Sequence, residues 1–526
     1  MQIDPRVRVN SIGFRPESPK QATVAEATDD PFRIVRIADG AEVFRGKLGP
    51  EQQTAAKDTD ERVRVADFSA FKEPGRYQLE IAGVGRSAPF AIGAEVWNSS
   101  FLTAARGLYL WRCGTAVRGT WQGHTFQHGP CHLEDGWLDH VGGGHTRRPS
   151  VGGWHDAGDY NKYVVNAGVS VGLLLKAWEQ FRPRIERVAL DLPETGNGVP
   201  DLLNELRWEL EWLFTMQLED GRVYHKLSAT KFSYWGPPDK DRDERYFAGW
   251  SSTATADFAA MMAMAARHFR EFDRVFAERC LAAARLSWRY LSAHPEHVDP
   301  EQSVFETGAY TAPDKTHRLW AAAELWRTTG ERAFLQEFER RAAGEEFTFL
   351  GPTWGDVRDL ALGTYLEAES SKEGRDPALV ARLRTQLLAQ AGRIVATADA
   401  HAYGRPVGGD RWFWGVNGSV AGQAYLLHLA DGVQADPRYR ATAAQALSFL
   451  FGRNFHARSY VTGLGHRPPA HPHDRRGEPA WPGYLVGGGE KSGRGWVDES
   501  GDYRQNEIAL NWNAALIYAL AAFVEP

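Results

Sequence analysis

The chain has 526 residues, 43% hydrophobic and 24% charged, with a formal net charge of -6. That length is more than one hydrophobic core fills, so two or more domains are expected, and the balance is that of a globular protein. The acidic charge argues against a nucleic-acid footprint, which needs a basic face, and no apolar run is long enough to span a bilayer. The 19 Trp stand out; such a surplus fits either a core or a surface that stacks on flat apolar faces such as sugar rings. Three Cys, an odd count, make no disulfide framework and lean towards a reducing compartment or metal binding. The N-terminus, Met1-Gln2-Ile3-Asp4-Pro5-Arg6-Val7, lacks the basic region and apolar stretch of a leader. The expectation is a cytoplasmic protein, or a secreted one whose leader is not in this sequence.

Residues 1–93 read as β. Short alternating runs at Gln21–Ala25, Phe32–Ile37, Val63–Val65 and Tyr77–Ile81 are separated by turn signals such as Asp39-Gly40 and Glu73-Pro74-Gly75. The spacing predicts a small antiparallel sandwich acting as a scaffold. From residue 94 the period becomes helical. Segments are expected at Val96–Trp111, Asn161–Phe181, Pro200–Gln217, Ser252–Arg270, Phe272–His294, Lys315–Thr329, Glu331–Arg341, Thr353–Leu366, Asp376–Thr397, Val420–Ala430, Pro437–Phe451 and Tyr503–Ala522. About twelve helices with no strand run between them, several opening on Pro, Ser, Thr or Asp, suit a closed ring of helical hairpins, an all-α (α/α)6 toroid over 94–526. An irregular all-α domain or a solenoid is the alternative, though no fixed sequence period appears.

Three loop regions, 113–163, 221–250 and 453–503, are long enough to be functional. The first carries Gly152-Gly153-Trp154-His155-Asp156-Ala157-Gly158-Asp159-Tyr160. Two carboxylates among glycines and aromatics pack poorly, and glycine lets backbone approach a ligand. The stretch reads as a capped polar loop or as a catalytic pair. Upstream lie Cys113, Cys131 and His132, which with His155 make two thiolates and two imidazoles. That set completes a tetrahedral zinc site with no open position, hence a structural one; unrelated buried cysteines and surface histidines are the other reading. Cys280 reads as an ordinary buried thiol. Glu194, Asn197 and Asp201 offer oxygen ligands of the kind calcium prefers, or simply open a helix. In the second loop region, Trp235 and its aromatic neighbours could line a groove, and the charged run 239–245 reads as a solvated loop face.

Near the C-terminus, Asp502-Tyr503-Arg504-Gln505-Asn506-Glu507-Ile508-Ala509-Leu510-Asn511-Trp512-Asn513 sets a glutamate at the mouth of the last helix. A helix N-terminus stabilises a carboxylate on its own account. A toroid, however, brings its last helix beside its first, and would set Glu507 across a cleft from Asp156 and Asp159. Acetal hydrolysis with inversion needs such a set: one protonated and one ionised carboxyl, roughly 6.5–9.5 Å apart to admit a water.

Gly152–Tyr163 and Asp502–Ala514 resemble the two signature regions of family-9 glycoside hydrolases, the inverting cellulase family, and Pro472-His473-Asp474-Arg475 resembles its third motif. Residues 7–24 resemble the start of the immunoglobulin-like domain that precedes the catalytic ring in one branch. The resemblance covers nearly the whole chain. It implies that Asp159 is the catalytic base, Asp156 helps hold the water, Glu507 is the general acid, and His473 and Arg475 bind the sugar beside the scissile bond. Tyr503, Trp512 and Trp235 are further candidates for sugar contacts. Cys113, Cys131, His132 and His155 match that branch's structural zinc ligands in type and order; calcium is common in the family, which keeps Glu194, Asn197 and Asp201 as candidates.

Three departures bear on substrate choice and not on the reaction. Asp474 stands where the motif usually has a second His, Gly487-Gly488-Gly489-Glu490 replaces a Gly-Gly-Pro stretch, and Trp512 replaces a common Tyr. The expected substrate is a β-1,4-linked glucan or cello-oligosaccharide. No cellulose-binding module follows residue 526, which weakens a role on crystalline cellulose. An exo-acting glucosaminidase on chitosan oligomers is the alternative, since an added carboxylate near the pocket could favour an amino sugar. A carbohydrate-binding protein without catalysis and a zinc-dependent hydrolase are more distant readings; the first has no need of all three acidic residues. No nucleic acid, membrane or organic cofactor is expected, and the sequence leaves the oligomeric state open.

Overall fold

The alternating N-terminal runs become two sheets in a computed structural model that describes residues 2–26, 31–343, 347–367 and 374–526. One sheet runs in the order Val7–Val9, Gln21–Ala25, Arg62–Asp67, Gln52–Gln53. The other runs Gly13–Phe14, Phe90–Ile92, Gly75–Ile81, Phe32–Arg36, Glu42–Gly46, with Gly85–Arg86 added on Gly75–Ile81. Inward residues of both meet in one core in which Phe14 meets Phe68 and Phe90 edge-on and Tyr77 meets Phe71 edge-on. The expected sandwich is antiparallel except at one pair: Ala91 and Ile92 run parallel to Gly13 and Phe14.

The chain divides into two compact units, one of Met1–Ala104, Ala389–Asp474 and Glu478–Pro526, the other of Ala105–Leu388 and Arg475–Gly477. In the first, the sandwich packs on the C-terminal helical segments through buried polar contacts. The Arg8 guanidinium pairs with Glu61 at 2.7 Å and donates to the Tyr403 hydroxyl. Arg453 donates to Thr23, Gln21 and the Ala402 carbonyl at 2.9–3.0 Å. Buried ionic groups need all their partners, so these contacts fix the sandwich in one seat. The helix Val416–Val433 is buried on every side over most of its length and packs on Pro437–Leu450 and Leu510–Ala521.

In the second unit Ser252–Phe269 is the central helix, packed on Val164–Ile185, Arg274–Ala293 and Lys315–Thr329. Ser251 caps it, its side chain accepting from the Ala254 N–H, as a cap residue should. Helices buried all round, such as Val164–Ile185, alternate with amphipathic ones. The helix Pro377–Ala400, which runs from one unit into the other, buries Leu379, Leu383, Leu387, Ala391 and Ile394, the three- or four-residue spacing of a single stripe. Among the described residues no helix is long and apolar enough to cross a membrane.

Three expectations need correction. Strands do lie among the helices: a hairpin of Val117–Trp121 and His124–His128, and a sheet of Lys162–Tyr163, Lys226–Ser228 and Tyr246–Phe247. Lys162 and Tyr163, read as helix, pair with Leu227 and Lys226 instead. The helix expected from Thr353 starts at Arg358, because Thr353 and Asp356 exchange backbone bonds first. The segment Tyr503–Ala522 is two helices, Tyr503–Asn506 and Leu510–Ala521, broken at Glu507.

Candidate active site

The Gly152–Tyr163 loop is built by contacts that its glycines and aromatics demand. Gly153 has φ +74° and a Cβ there would meet the Trp212 ring at 2.8 Å, so only glycine fits. Trp154 is clamped through both nitrogens: its N–H donates to Glu209 at 2.6 Å and its indole to Glu205 at 2.7 Å. The His155 N–H donates to the Trp111 carbonyl, and the Asp156 N–H to the Asn161 carbonyl. The loop therefore closes on itself around the two aspartates, which are 3% and 5% exposed.

The two carboxylates have different surroundings. Asp156 accepts from the Asn166 amide at 2.6 Å and from the Tyr310 hydroxyl at 2.7 Å, one donor on each oxygen. Asp159 accepts on Oδ2 from the Asn161 amide at 2.7 Å, the Asn161 N–H at 3.3 Å and the Tyr163 hydroxyl at 3.2 Å. Among the described residues its Oδ1 takes no hydrogen bond. Burial, and then the charge of Asp159, push the Asp156 carboxyl up to about 8. Nearby Lys226 is pushed down to about 8 by burial, against the pull of Asp159.

The raised Asp156 carboxyl has a consequence for stability. The folded state holds its proton from the ordinary carboxylate range up to about 8, where the unfolded chain has lost it. The native form binds more protons across that window, so this group's contribution falls as pH rises through it. Asp156→Asn removes the titration. Its melting temperature relative to the parent protein is expected to rise between pH 5 and pH 8; thermal melts showing the same difference at both pH values would refute the assignment.

Cys113, Cys131, His132 and His155 converge, with one ligand atom from each lying within 4.8 Å of all the others. Cys113 Sγ is 3.6 Å from His132 Nδ1 and Cys131 Sγ is 3.8 Å from His155 Nε2. A tetrahedral zinc with ordinary Zn–S and Zn–N bonds separates S from N by about 3.6 Å. The donor chemistry and the spacing both fit that ion. The His132 Nε2 faces Asp241 at 3.3 Å, the carboxylate partner that fixes a ligand's tautomer. Against burial, a hydrogen bond from Cys131 and the charges of Lys162, Arg245 and His132 hold the Cys113 thiol well below its usual value. The charged run 239–245, expected to be a solvated face, thus sends Asp241 and Arg245 into this cluster; Arg245 is 2% exposed.

The candidate calcium ligands make protein contacts of their own. Glu194 pairs with both Arg112 nitrogens at 2.9–3.1 Å. Asp201 accepts from the Leu190 N–H and the Thr195 hydroxyl on one oxygen, and Asn197 exchanges amide bonds with Asn204. These contacts hold the start of the helix Asp201–Met216. Arg475, in the same unit, donates to the Tyr234 carbonyl at 3.1 Å, and its guanidinium lies 5.0 Å from the Phe232 ring and 5.6 Å from that of Trp235. Both aromatics are half exposed, at 51% and 50%, and Arg475 is buried against them.

In the other unit Glu507 lies in extended backbone, φ -69° and ψ 151°. It sits in a ladder: His473 donates its N–H to the Asn506 carbonyl at 2.8 Å, and Gly487 donates to the Glu507 carbonyl at 2.9 Å. His473 and Glu507 are neighbours in a parallel bridge, and Val486 pairs with Ile508. The His473 Nδ1 lies 2.6 Å from the Ser500 carbonyl, and its ring is 6.0 Å from that of Tyr503. Tyr503 in turn meets the exposed Trp414 edge-on at 5.4 Å. Trp512 is seated against Gly415 and Gly418, where an added Cβ would come within 2.4–2.6 Å of the indole. Glu490 is paired with Arg504 at 3.2 Å, and Asp474 is buried. Tyr310, Asn166 and Trp414 were not singled out in the sequence reading, and Arg245 was read only as part of a solvated loop face. Only the positive φ of Tyr310, +45°, marks it now, and no sequence signal announced it.

Comparison with known proteins bears on all of these residues. Residues 98–520 match the model described as glycosyl hydrolase family 9, and residues 2–86 the cellulase N-terminal ig-like domain. Endoglucanase D of Acetivibrio thermocellus is 48% identical over 533 residues, covering 99% of this chain and 84% of that protein. Among solved structures, a metagenome-derived family-9 endoglucanase aligns with TM-score 0.92 at 35% identity, over 99% of both chains. A Zn-binding triple mutant of the family-9 endoglucanase J30 aligns with TM-score 0.89 at 32% identity, over 97% of this chain and 99% of that one.

Proposed function

The chain belongs to glycosyl hydrolase family 9, and from that membership we propose an inverting glycoside hydrolase that cleaves β-1,4-glucosidic bonds in cellulose-type glucans and cello-oligosaccharides. The observation that carries the reading is the buried Asp156–Asp159 pair with its unequal donors. In the proposed reaction Asp159, through Oδ1, takes a proton from a water that attacks the anomeric carbon. Asp156, held by Asn166 and Tyr310, gives that water its second contact. Glu507 gives its proton to the leaving oxygen as the glycosidic bond breaks. One proton enters Asp159 and one leaves Glu507, so solvent exchange resets both. His473 and Arg475 bind the sugar beside the bond, with Trp235 and Tyr503 offering aromatic faces. Trp512 is a further candidate for a sugar contact.

The architecture that joins these parts is, in our reading, the six-hairpin ring over 94–526 preceded by the immunoglobulin-like sandwich over 1–93. The alternation of all-round buried helices with amphipathic ones supports it. The four converging ligand atoms support a structural zinc. The ion would be held by Cys113, Cys131, His132 and His155, and would supply cross-linking of the loop that bears the aspartates, with no open coordination position for chemistry. The Endoglucanase D relationship favours an endo mode of attack. The amino-sugar alternative rests on an added carboxylate, Asp474 or Glu490, of which Glu490 is paired with Arg504.

Proton NMR of the first product tests the stereochemistry. The α-anomer is expected to appear first from a β-linked cello-oligosaccharide, and early β-anomer would overturn the inverting assignment. Product chromatography on carboxymethylcellulose, cello-oligosaccharides and chitosan oligomers tests the substrate; turnover of chitosan oligomers alone would replace glucan with glucosamine.

A further inference from the structure

Arg245 is one of the most completely enclosed charges in its unit, and its contacts point in two directions. Its Nε donates to Asp135 Oδ1 at 2.9 Å and its Nη2 to the other Asp135 oxygen. The same Nη2 donates to Cys113 Sγ at 3.0 Å. Its Nη1 donates to the carbonyl of Tyr160, the residue after Asp159. Asp135 is itself 3% exposed and also meets Lys162 at 3.2 Å. Lys162 in turn donates to the Ser150 and Gly152 carbonyls at 2.9 and 2.8 Å. The carboxylate therefore grips the guanidinium from one side, leaving its remaining N–H groups aimed at a sulfur and at a backbone oxygen.

That arrangement requires arginine. A planar fork with five donors can bind a carboxylate with one edge and reach two further acceptors at fixed angles, whereas lysine offers one point charge. A hydrogen bond to a metal thiolate stabilises charge on sulfur, and a bond to the Tyr160 carbonyl fixes where the chain leaves Asp159.

We propose that Arg245 is a positioning residue that couples the Cys113 thiolate of the metal cluster to the backbone beside Asp159, so that metal binding and base placement share one anchor. This rests on the zinc and base roles proposed above. The test therefore starts with metal analysis of the unaltered protein. Absence of zinc there defeats the zinc role and the coupling with it; zinc at one per chain leaves the coupling to be judged by variants.

Arg245→Lys is then compared with the parent protein in three readouts. In the cobalt-substituted protein the thiolate-to-cobalt charge-transfer band is expected to move to lower energy. Zinc capture by a chromophoric chelator is expected to be about 10-fold faster, the usual scale for loss of a ligand's hydrogen-bond partner. Turnover of a soluble glucan is expected to fall about 10-fold in kcat with KM unchanged. An unmoved band with unchanged zinc release overturns the proposal, and so does a moved band with unchanged kcat. If Arg245→Lys does not fold, Asp135→Asn, which keeps the guanidinium and frees its fork, is judged by the same three readouts.

Discussion

Asp159→Asn and Glu507→Gln are each expected to lower kcat on a soluble β-glucan by about 10²–10⁴-fold, the range for removing a general base or acid, with thermal melts close to those of the parent protein. The two losses should differ on an aryl glycoside whose leaving group needs no proton. Glu507→Gln should recover most of its rate there, because the acid has nothing left to do. Asp159→Asn should not recover, because the water still needs its base. An equal loss for Glu507→Gln on both substrates would remove it as the acid, and recovery of Asp159→Asn would remove it as the base. Asp159 takes its three donors on Oδ2, and an amide placed there sets an N–H against them or turns its nitrogen to the water. Either way the proton acceptor is gone while the packing volume stays.

Cys131→Ser is expected to cost stability on a scale that few single substitutions reach, about 4 kcal/mol or more, because it removes a metal ligand and not merely a contact. Cys131 is 1% exposed and sits 3.8 Å from His155 Nε2, in the loop that also carries Asp156. The melting temperature should drop together with zinc content, and activity at low temperature should persist in whatever fraction stays folded. Full zinc content with an unchanged melting temperature would reject the cross-link. Loss of turnover at once on chelation, with the melting temperature intact, would instead make the metal a participant in chemistry.

Where local chemistry decides, the sequence was a reliable guide. The helix Lys315–Thr329 falls on its expected bounds because Pro313 and Asp314 precede it and Gly330, at φ +75°, ends it. Pro437–Leu450 opens behind the Asp436 cap for the same kind of reason. The Tyr503–Ala522 pattern failed because the backbone at Glu507–Ile508 is claimed by His473, Gly487 and Val486, partners well away in sequence that no periodicity reports. Lys162 and Tyr163 left the helix for a strand in the same way.

The candidate site divides along the same line. Asp156, Asp159 and Glu507 stand in compact motifs where a resemblance can propose them, and Cys113, Cys131, His132 and His155 are proposed by type and order. The groups that tune them come from scattered positions. Tyr310 and Asn166 reach Asp156 from a loop and a helix, and Asp241 and Arg245 reach the metal cluster from a run whose composition reads as surface. Acidic residues at a helix start look alike in sequence whether they bind an ion, an arginine or a backbone N–H. Here Glu194 holds Arg112, and Asp201 holds the Leu190 N–H and the Thr195 hydroxyl.

The backbone ladder around Glu507 also bears on how this enzyme can diversify. Ladder bonds tie His473, Gly487, Gly488 and the 505–508 segment into one register, and a slip of one residue would turn the Glu507 side chain to the opposite face. The chain between those tied points surfaces at Glu478–Pro479 and again at Glu499–Gly501. Insertions at these exposed bends lengthen the loop without touching the register. Descendants could therefore rebuild the rim, and with it the choice of glucan, by gain and loss of segments there, while Glu507 keeps its place from one lineage to the next.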